Sequence, residues 1–82
     1  MENEVRVRAK EKEYITTSKR VDGKDVDIIV VVRNGAITEI VYDWCSRRSL
    51  VSGGSGFPIV QIPALIKVLQ KVYEEEKKEI EG

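Results

Sequence analysis

The chain has 82 residues, with 14 lysines and arginines balanced by 14 aspartates and glutamates, so its formal net charge at pH 7 is zero. That balance excludes a strongly basic domain of the kind that binds nucleic acid through overall charge. With no histidine and one cysteine, the chain lacks the residues for Ser-His, Cys-His or His-metal sites and for an internal disulfide. We therefore expect a binding protein with no enzymatic activity, no cofactor and no metal.

The remaining composition favours a small β-rich domain. Valine and isoleucine together supply 21 residues against 3 leucines and 3 alanines, and β-branched side chains fit a pleated sheet. Charged residues make up 34% of the chain while asparagine and glutamine number 2 each, a balance typical of thermophile proteins. The length predicts one domain over residues 1–82, and no apolar run reaches the roughly 20 residues of a membrane span. We expect a cytoplasmic protein.

Alternating and apolar runs predict the strands in chain order. Residues 1–12 form an extended or flexible arm, and the first strand lies within residues 5–21. Asp22-Gly23 and Asn34-Gly35 are typical two-residue hairpin turns, because both dipeptides tolerate positive φ. These turns enclose a second strand at residues 26–33, and a third follows at residues 36–44. A flexible loop at residues 52–56 precedes a short fourth strand at residues 57–61, to which residues 50–51 could add.

The remainder predicts one helix beginning near Pro63, since proline suits the first helical turn. Apolar side chains recur along it at helical spacing in two stripes. One stripe, which could face the sheet, contains Leu65, Val68 and Val72. The other predicts an oligomer interface, interrupted by Glu76, and contains Ile62, Ile66, Leu69, Tyr73 and Ile80. A single wide stripe facing the core is the alternative. The fold class is α+β, a four-stranded antiparallel β-meander followed by one C-terminal α-helix.

Two-residue turns would also fix which side chains share a face of the sheet. In that register Ile29 pairs with Thr16 on one side and with Ile40 on the other. One face then gathers aromatic and basic side chains: Lys12, Tyr14, Arg20, Arg33, Tyr42 and Trp44. The opposite, aliphatic face would be buried by the helix, and it contains Ile15, Thr17, Val26, Ile28, Val30, Val32, Ile37 and Val41. A slip of one residue in either hairpin would reverse this assignment.

Aromatic and basic side chains on an open sheet face indicate a site for single-stranded nucleic acid. Bases stack on the rings while cations follow the phosphates. Charge position supports this interpretation, because residues 44–73 contain no acid, and Arg47-Arg48 follow Trp44 closely. The alternative is a protein interface, in which Tyr42 and Trp44 anchor a partner or a second copy.

Three segments carry a resemblance to known proteins: the hairpin pair of residues 26–44, the Arg47-Arg48 pair and the helix entry at residues 58–66. With them the chain resembles, from about Tyr14 to Tyr73, the archaeal ThermoDBP-related single-strand-binding proteins and, more loosely, the positive-cofactor-four coactivator fold. The resemblance implies binding of single-stranded DNA or RNA with little sequence preference, and assembly into dimers or larger oligomers. The residues to which it assigns the binding role are Arg33, Tyr42, Trp44, Arg47 and Arg48.

The sequence therefore predicts a non-enzymatic homo-oligomer, a dimer or tetramer, that binds single-stranded nucleic acid. Tyr14 and Lys12 extend the predicted binding site along the same sheet face. A protein-interaction or oligomerisation module with no nucleic-acid ligand is the competing hypothesis.

Overall fold

The computed structural model of the protein describes residues 5–8, 12–44, 47–51 and 56–81. Five strands form one antiparallel sheet in chain order, and one long helix follows them. The elements are β1 (Val5–Arg8), β2 (Glu13–Lys19), β3 (Asp25–Arg33), β4 (Ala36–Trp44), β5 (Arg47–Leu50), a 3-10 helix (Ile59–Gln61) and α1 (Ile62–Glu81). The predicted α+β class, with an antiparallel sheet and a C-terminal helix, is confirmed, but the sheet has five strands and not four.

The sheet differs from the prediction at two places, the N-terminal segment and the last strand. The segment predicted to hold the arm and one strand contains both β1 and β2, and Lys12 precedes β2 with a φ of 48°. The last strand, β5, comes before the glycine-rich segment. Residues 59–61 form a 3-10 helix, in which the Gln61 amide donates to the Pro58 carbonyl at 3.0 Å. Pro58 itself has no N–H for a strand ladder. Residues 52–55 and Cys45 lie outside the described residues.

The turn between β3 and β4 has the predicted form, but the strands beside it contain a bulge. Asn34 and Gly35 have φ angles of 52° and 77°, as a type I′ turn requires, and Arg33 pairs with Ala36. Val32 then pairs with Ile37, whereas Val31 pairs with Glu39, so Thr38 is an extra residue in β4. The Thr38 hydroxyl donates to the Val31 carbonyl at 3.3 Å. Beyond this bulge every pair is shifted by one residue from the prediction.

The turn between β2 and β3 has three residues, Val21, Asp22 and Gly23, and not two. The Gly23 amide donates to the Arg20 carbonyl at 2.9 Å, and the Arg20 amide donates to the Lys24 carbonyl at 2.8 Å. Gly23 has a φ of 86°, which suits a three-residue hairpin loop closed by a glycine in the left-handed region. This extra residue also shifts the register by one, so Ile29 pairs with Ile15 and not with Thr16.

These two shifts overturn the predicted division of the sheet faces. The β3 residues lie as predicted, with Val26, Ile28, Val30 and Val32 packed towards α1. Residues of β2, and those of β4 beyond the bulge, have changed faces relative to β3, because a shift of one residue reverses alternation. Ile37, before the bulge, still pairs with Val32 as predicted. Tyr14, Ile40, Tyr42 and Trp44 therefore lie on the helix side. The face turned away from α1, here named the open face, has an apolar centre formed by Ile15, Ile29, Val31 and Val41.

Helix α1 packs on the sheet through the apolar stripe that the sequence predicted for this role. Pro63 is its second residue, and Val68 and Val72 are buried against the sheet, with Leu65 partly buried beside them. Ala64, which starts this stripe, is buried as well. The opposite side of α1 is exposed, so the helix has two apolar stripes with different environments.

Candidate nucleic-acid-binding site

Of the two further predicted binding residues, Tyr14 belongs to the core, and Lys12 lies beside it with a partly exposed side chain. Tyr14 is 2% exposed, and its hydroxyl donates to Glu76 Oε2 at 2.7 Å under the helix. Lys12 Nζ lies 3.5 Å from the same carboxylate oxygen. Glu76, which interrupts the apolar stripe in the sequence, is thus the acceptor for a buried hydroxyl and the partner of a cation. This arrangement leaves the Tyr14 ring no open surface for a base.

Arg33 and Arg48 lie apart from the aromatic side chains. Arg33 ends β3 at the turn with β4, whereas Trp44 pairs with Val26 at the opposite end of β3, about 23 Å away at the usual rise of a strand. Arg48 pairs with Asp43 across β4 and β5, and its Nη1 lies 3.6 Å from Asp43 Oδ2 on the open face. The adjacent residues of the Arg47-Arg48 pair therefore point to opposite faces of the sheet.

Trp44 and Arg47 do lie together, and Arg20 joins them. The Arg20 guanidinium carbon lies 4.1 Å from the centroid of the Trp44 ring, and that of Arg47 lies 5.3 Å from it. Both distances are within the range of a cation–π interaction. Trp44 is half-buried while Arg47 is exposed, so this group reaches the surface. We name these three residues the Trp44 cluster.

A groove lies beside the Trp44 cluster at the same end of the sheet. Its volume is about 330 Å³, and its lining includes Arg20, Tyr42, Pro58, Val60 and Gln61. The buried Gln61 side chain donates to the Lys19 carbonyl at 2.8 Å, which ties the helix entry to the end of β2. Val60 remains 64% exposed, so one wall of the groove is apolar and open to solvent. We name this feature the edge groove.

Tyr42 forms the inner wall of the edge groove. It is 6% exposed, and its ring makes an edge-to-face contact with Phe57 at a centroid distance of 5.5 Å. Burial raises the pKa of the Tyr42 hydroxyl above its usual value of 10.0, while the positive charge of Arg20 acts in the opposite direction. The hydroxyl is therefore neutral at physiological pH and able to donate or accept a hydrogen bond.

The sequence placed Arg20 on the aromatic and basic face but did not assign it to the binding site, and it predicted no binding role for Val60 or Gln61. All three depend on the three-residue turn and on the 3-10 helix that replaces the predicted fourth strand. The turn had a sequence signal, because an Asp-Gly pair also fits a longer loop with glycine in its last position. The 3-10 helix also had a sequence signal, because Pro58 disfavours a paired strand at this position.

The open face is rich in charge, but its charged groups are engaged with one another. The Thr17 hydroxyl donates to Asp27 Oδ1 at 2.7 Å and accepts from Arg6 Nη2 at 2.8 Å. Lys19 Nζ lies 2.8 Å from Asp25 Oδ1. Cations held by neighbouring carboxylates present little net positive potential to a phosphate chain. Among the described residues, this face therefore has no aromatic rings, and its basic side chains are balanced by neighbouring acids.

The predicted oligomer stripe lies on the exposed side of α1. Ile62, Ile66 and Tyr73 are 40%, 48% and 66% exposed, while Leu69 is partly buried against the core. A groove of about 680 Å³ runs along this side, and its lining includes Ile66, Leu69 and Tyr73. We name these four residues the outer stripe. The side chain of Ile80 lies outside the described residues.

Comparison with family models, curated proteins and solved structures finds no match for this chain. The resemblance to the ThermoDBP-related proteins therefore stays a prediction. Within residues 5–8, 12–44, 47–51 and 56–81, no helix is long and apolar enough to cross a membrane. The same described ranges contain no group of three or more cysteine, aspartate or glutamate side chains placed to hold a metal ion.

Proposed function

We propose that the protein binds single-stranded nucleic acid at the Trp44 cluster and the edge groove, and not on the open face. The observation that carries this proposal is the approach of two guanidinium groups to one half-buried indole, at 4.1 and 5.3 Å from the ring centroid, beside an open groove. Arginine planes and aromatic rings are the two surfaces on which proteins stack unpaired bases.

The position of the arginines also suggests how a base would enter. A guanidinium is planar, so a base can pack on a guanidinium face that is turned away from Trp44. Arg47 is better suited to this contact than Arg20, because Arg47 is exposed on edge strand β5. Arg20 is already held by Asp22, whose Oδ2 lies 3.4 Å from its Nη2. Arg47 is therefore the main contact to the ligand in this proposal, and Arg20 orients the indole.

Charge position supports the Arg47 side of this location, whereas Asp22 lines the edge groove and balances Arg20. The segment from Trp44 to Tyr73 contains no acidic residue, and the 3-10 helix beside the edge groove lies inside it. Few cations are present, so we expect binding to be weak at physiological salt and to depend less steeply on salt than that of a strongly basic protein. Stacking of each base contributes on the order of 1–3 kcal/mol, so two or three stacked bases suffice for measurable affinity at low salt.

The test uses the fluorescence of the single tryptophan, which lies in the proposed site. Titration with single-stranded oligonucleotides at low salt should quench Trp44, and added salt should reverse the quenching. Arg47→Ala should weaken binding by about ten-fold, since it removes a stacking plane and a phosphate contact. Arg33→Ala removes the same charge from the distant end of β3 and is the matched control, with at most a two-fold expected effect.

Two results would contradict the proposal. Emission that stays constant with excess oligonucleotide at low salt, together with no mobility shift, would exclude binding at Trp44. Equal weakening by Arg33→Ala and Arg47→Ala would indicate diffuse attraction by the whole surface.

A protein-interaction function is the second candidate, and the outer stripe favours it. Exposed apolar side chains gathered on one side of a helix are typical of association surfaces. The two functions use separate surfaces, since the Trp44 cluster lies at one end of the sheet and the outer stripe lies on the far side of α1.

A further inference from the structure

The edge groove combines apolar side chains from two elements with a pair of charged groups. Its apolar lining comes from Val21 in the three-residue turn and from Val60 in the 3-10 helix. Val21 is 88% exposed, so its side chain is covered by nothing in the described part of the chain. Arg20 and Asp22 line the same groove. Apolar walls with a few convergent polar groups are typical of pockets for small, flat ligands.

The two charged groups of the groove balance each other. Asp22 Oδ2 lies 3.4 Å from Arg20 Nη2, and Asp22 Oδ1 accepts a hydrogen bond from the Lys24 amide at 3.1 Å. Each carboxylate oxygen can accept two hydrogen bonds, so these contacts leave both oxygens able to accept another. A balanced pair attracts a phosphate only weakly. It fits an uncharged group that carries donors and acceptors side by side, as the edge of a base does.

We propose that the edge groove binds guanine in preference to the other bases and that Asp22 selects it. This inference rests on the proposed function, in which the strand reaches the groove from Arg47. Guanine carries a ring N–H and an amino group side by side, with its carbonyl oxygen next to them. The Asp22 carboxylate accepts from both donors, while the Arg20 guanidinium donates to the carbonyl oxygen.

The other bases satisfy this pair of residues less completely. Adenine and cytosine offer the Asp22 carboxylate one amino group, and thymine and uracil offer it one ring N–H. A bidentate contact to a base edge discriminates by about ten-fold or more against a base that cannot form it. The Asp22 side chain is partly exposed, so water competes for its oxygens, and we expect the lower end of that range.

Trp44 can report this contact. The Arg20 guanidinium carbon lies 4.1 Å from the centroid of the Trp44 ring, so a base bound by Arg20 changes the surroundings of the indole. Fluorescence of the single tryptophan therefore measures binding at the groove as well as at Arg47.

The first test changes single groups on the base and leaves the protein unaltered. Oligothymidine strands of about eight nucleotides carry one central guanine, hypoxanthine or 7-deazaguanine, and each strand is titrated at low salt. The guanine strand should bind about ten-fold more tightly than the hypoxanthine strand, because hypoxanthine differs from guanine only in lacking the amino group. The 7-deazaguanine strand should bind like the guanine strand, since this base keeps both donors and the carbonyl oxygen.

The second test changes the carboxylate. Asp22→Asn keeps an oxygen for the Lys24 amide but cannot accept from two donors with both of its terminal atoms. It should reduce the difference between the guanine and hypoxanthine strands to less than about two-fold. Weaker attraction of phosphates cannot explain such a loss, because the variant removes a negative charge.

The matched control is Asp25→Asn. It removes the same charge from the open face, where Asp25 Oδ1 lies 2.8 Å from Lys19 Nζ. The difference between the two strands should stay at about ten-fold in this variant. Circular dichroism and urea unfolding check that both variants fold.

Three outcomes would overturn the inference. Equal affinity of the wild-type protein for the guanine and hypoxanthine strands, with Trp44 still quenched, would exclude selection of guanine and leave the proposed function standing. A preference that persists in Asp22→Asn would assign the selection to a different group. Constant emission with every strand would overturn the proposed function and this inference together.

Discussion

The two faces of the sheet are buried in different ways. On the helix side, Ile28 and Val30 are completely covered, and the three aromatic residues Tyr14, Tyr42 and Trp44 pack around them with α1. On the open face, Ile29 is 5% exposed although α1 lies on the other side of the sheet. Long charged side chains such as Arg6, the register partner of Ile15, lie on the same face and can cover apolar neighbours with their stems.

This difference is the reason why we place the proposed site away from the open face. Its charged side chains shield an apolar centre and neutralise one another, as the contacts among Arg6, Thr17 and Asp27 show. A ligand would have to break these contacts before reaching the sheet. The Trp44 cluster and the edge groove, at one end of the sheet, need no such rearrangement, because Arg47 and Val60 already face solvent.

The largest expected difference between the faces lies in two adjacent residues. Ile28→Ala should lower the free energy of unfolding by about 3–4 kcal/mol, because it leaves a closed cavity under α1. Ile29→Ala removes the same atoms from the open face and should cost less, about 2 kcal/mol, since long side chains at this face can move to fill the space. Urea unfolding measures both. Equal costs would mean that the open face is as closely packed as the helix side.

The sequence predicted much of the fold, because hydrophobic periodicity and turn residues are local signals. The strand at residues 26–33, the Asn34-Gly35 turn and the helix from Pro63 all depend on contacts within a few residues. The division between the faces failed because it needed two exact residue counts. One extra residue in the turn at Gly23 and one in the bulge at Thr38 each reversed the faces of a strand.

The candidate site was predictable only in part, because it depends on tertiary contacts. Trp44 and Arg47 were identified from their proximity in sequence, and the β4–β5 pairing preserves it. Arg20 was predicted on the same face as Trp44, and the two stay together because the longer turn and the bulge move both residues to the helix side. The role of Glu76 could not be predicted either. An acidic residue in an apolar stripe does not indicate that it accepts a hydrogen bond from a tyrosine hydroxyl 62 residues away in sequence.

A smaller effect should follow from removing that hydroxyl. Tyr14→Phe keeps the ring in the helix-side core but leaves Glu76, which is 7% exposed, with one fewer donor. A buried acceptor that loses its partner costs about 1–3 kcal/mol. The control is Tyr73→Phe on the exposed side of α1, which should change stability by less than about 0.5 kcal/mol.

The comparison of Tyr14→Phe with Glu76→Gln separates charge from hydrogen bonding. Glutamine keeps an acceptor for Tyr14 but removes the charge that attracts Lys12. If both variants were as stable as the wild type in urea, the contact between Tyr14 and Glu76 would not stabilise the attachment of α1 to the sheet.

The smallest effects concern Thr16 and Thr17, which should respond with opposite signs. Thr16 is completely buried on the helix side, and its hydroxyl has no hydrogen-bond partner in the described part of the chain. Thr16→Val removes this unpaired group with little change of shape and should stabilise the protein by about 1 kcal/mol. Thr17→Val removes a hydroxyl that links Arg6 to Asp27 and should destabilise by about 0.5–1 kcal/mol. The urea midpoints measure both changes, provided that the dependence of the free energy of unfolding on urea concentration stays the same.

Destabilisation by Thr16→Val would mean that its hydroxyl bonds in solution to a group or a water molecule under α1. The helix side would then be less dry than its apolar composition indicates, and the contrast between the two faces would be one of packing alone.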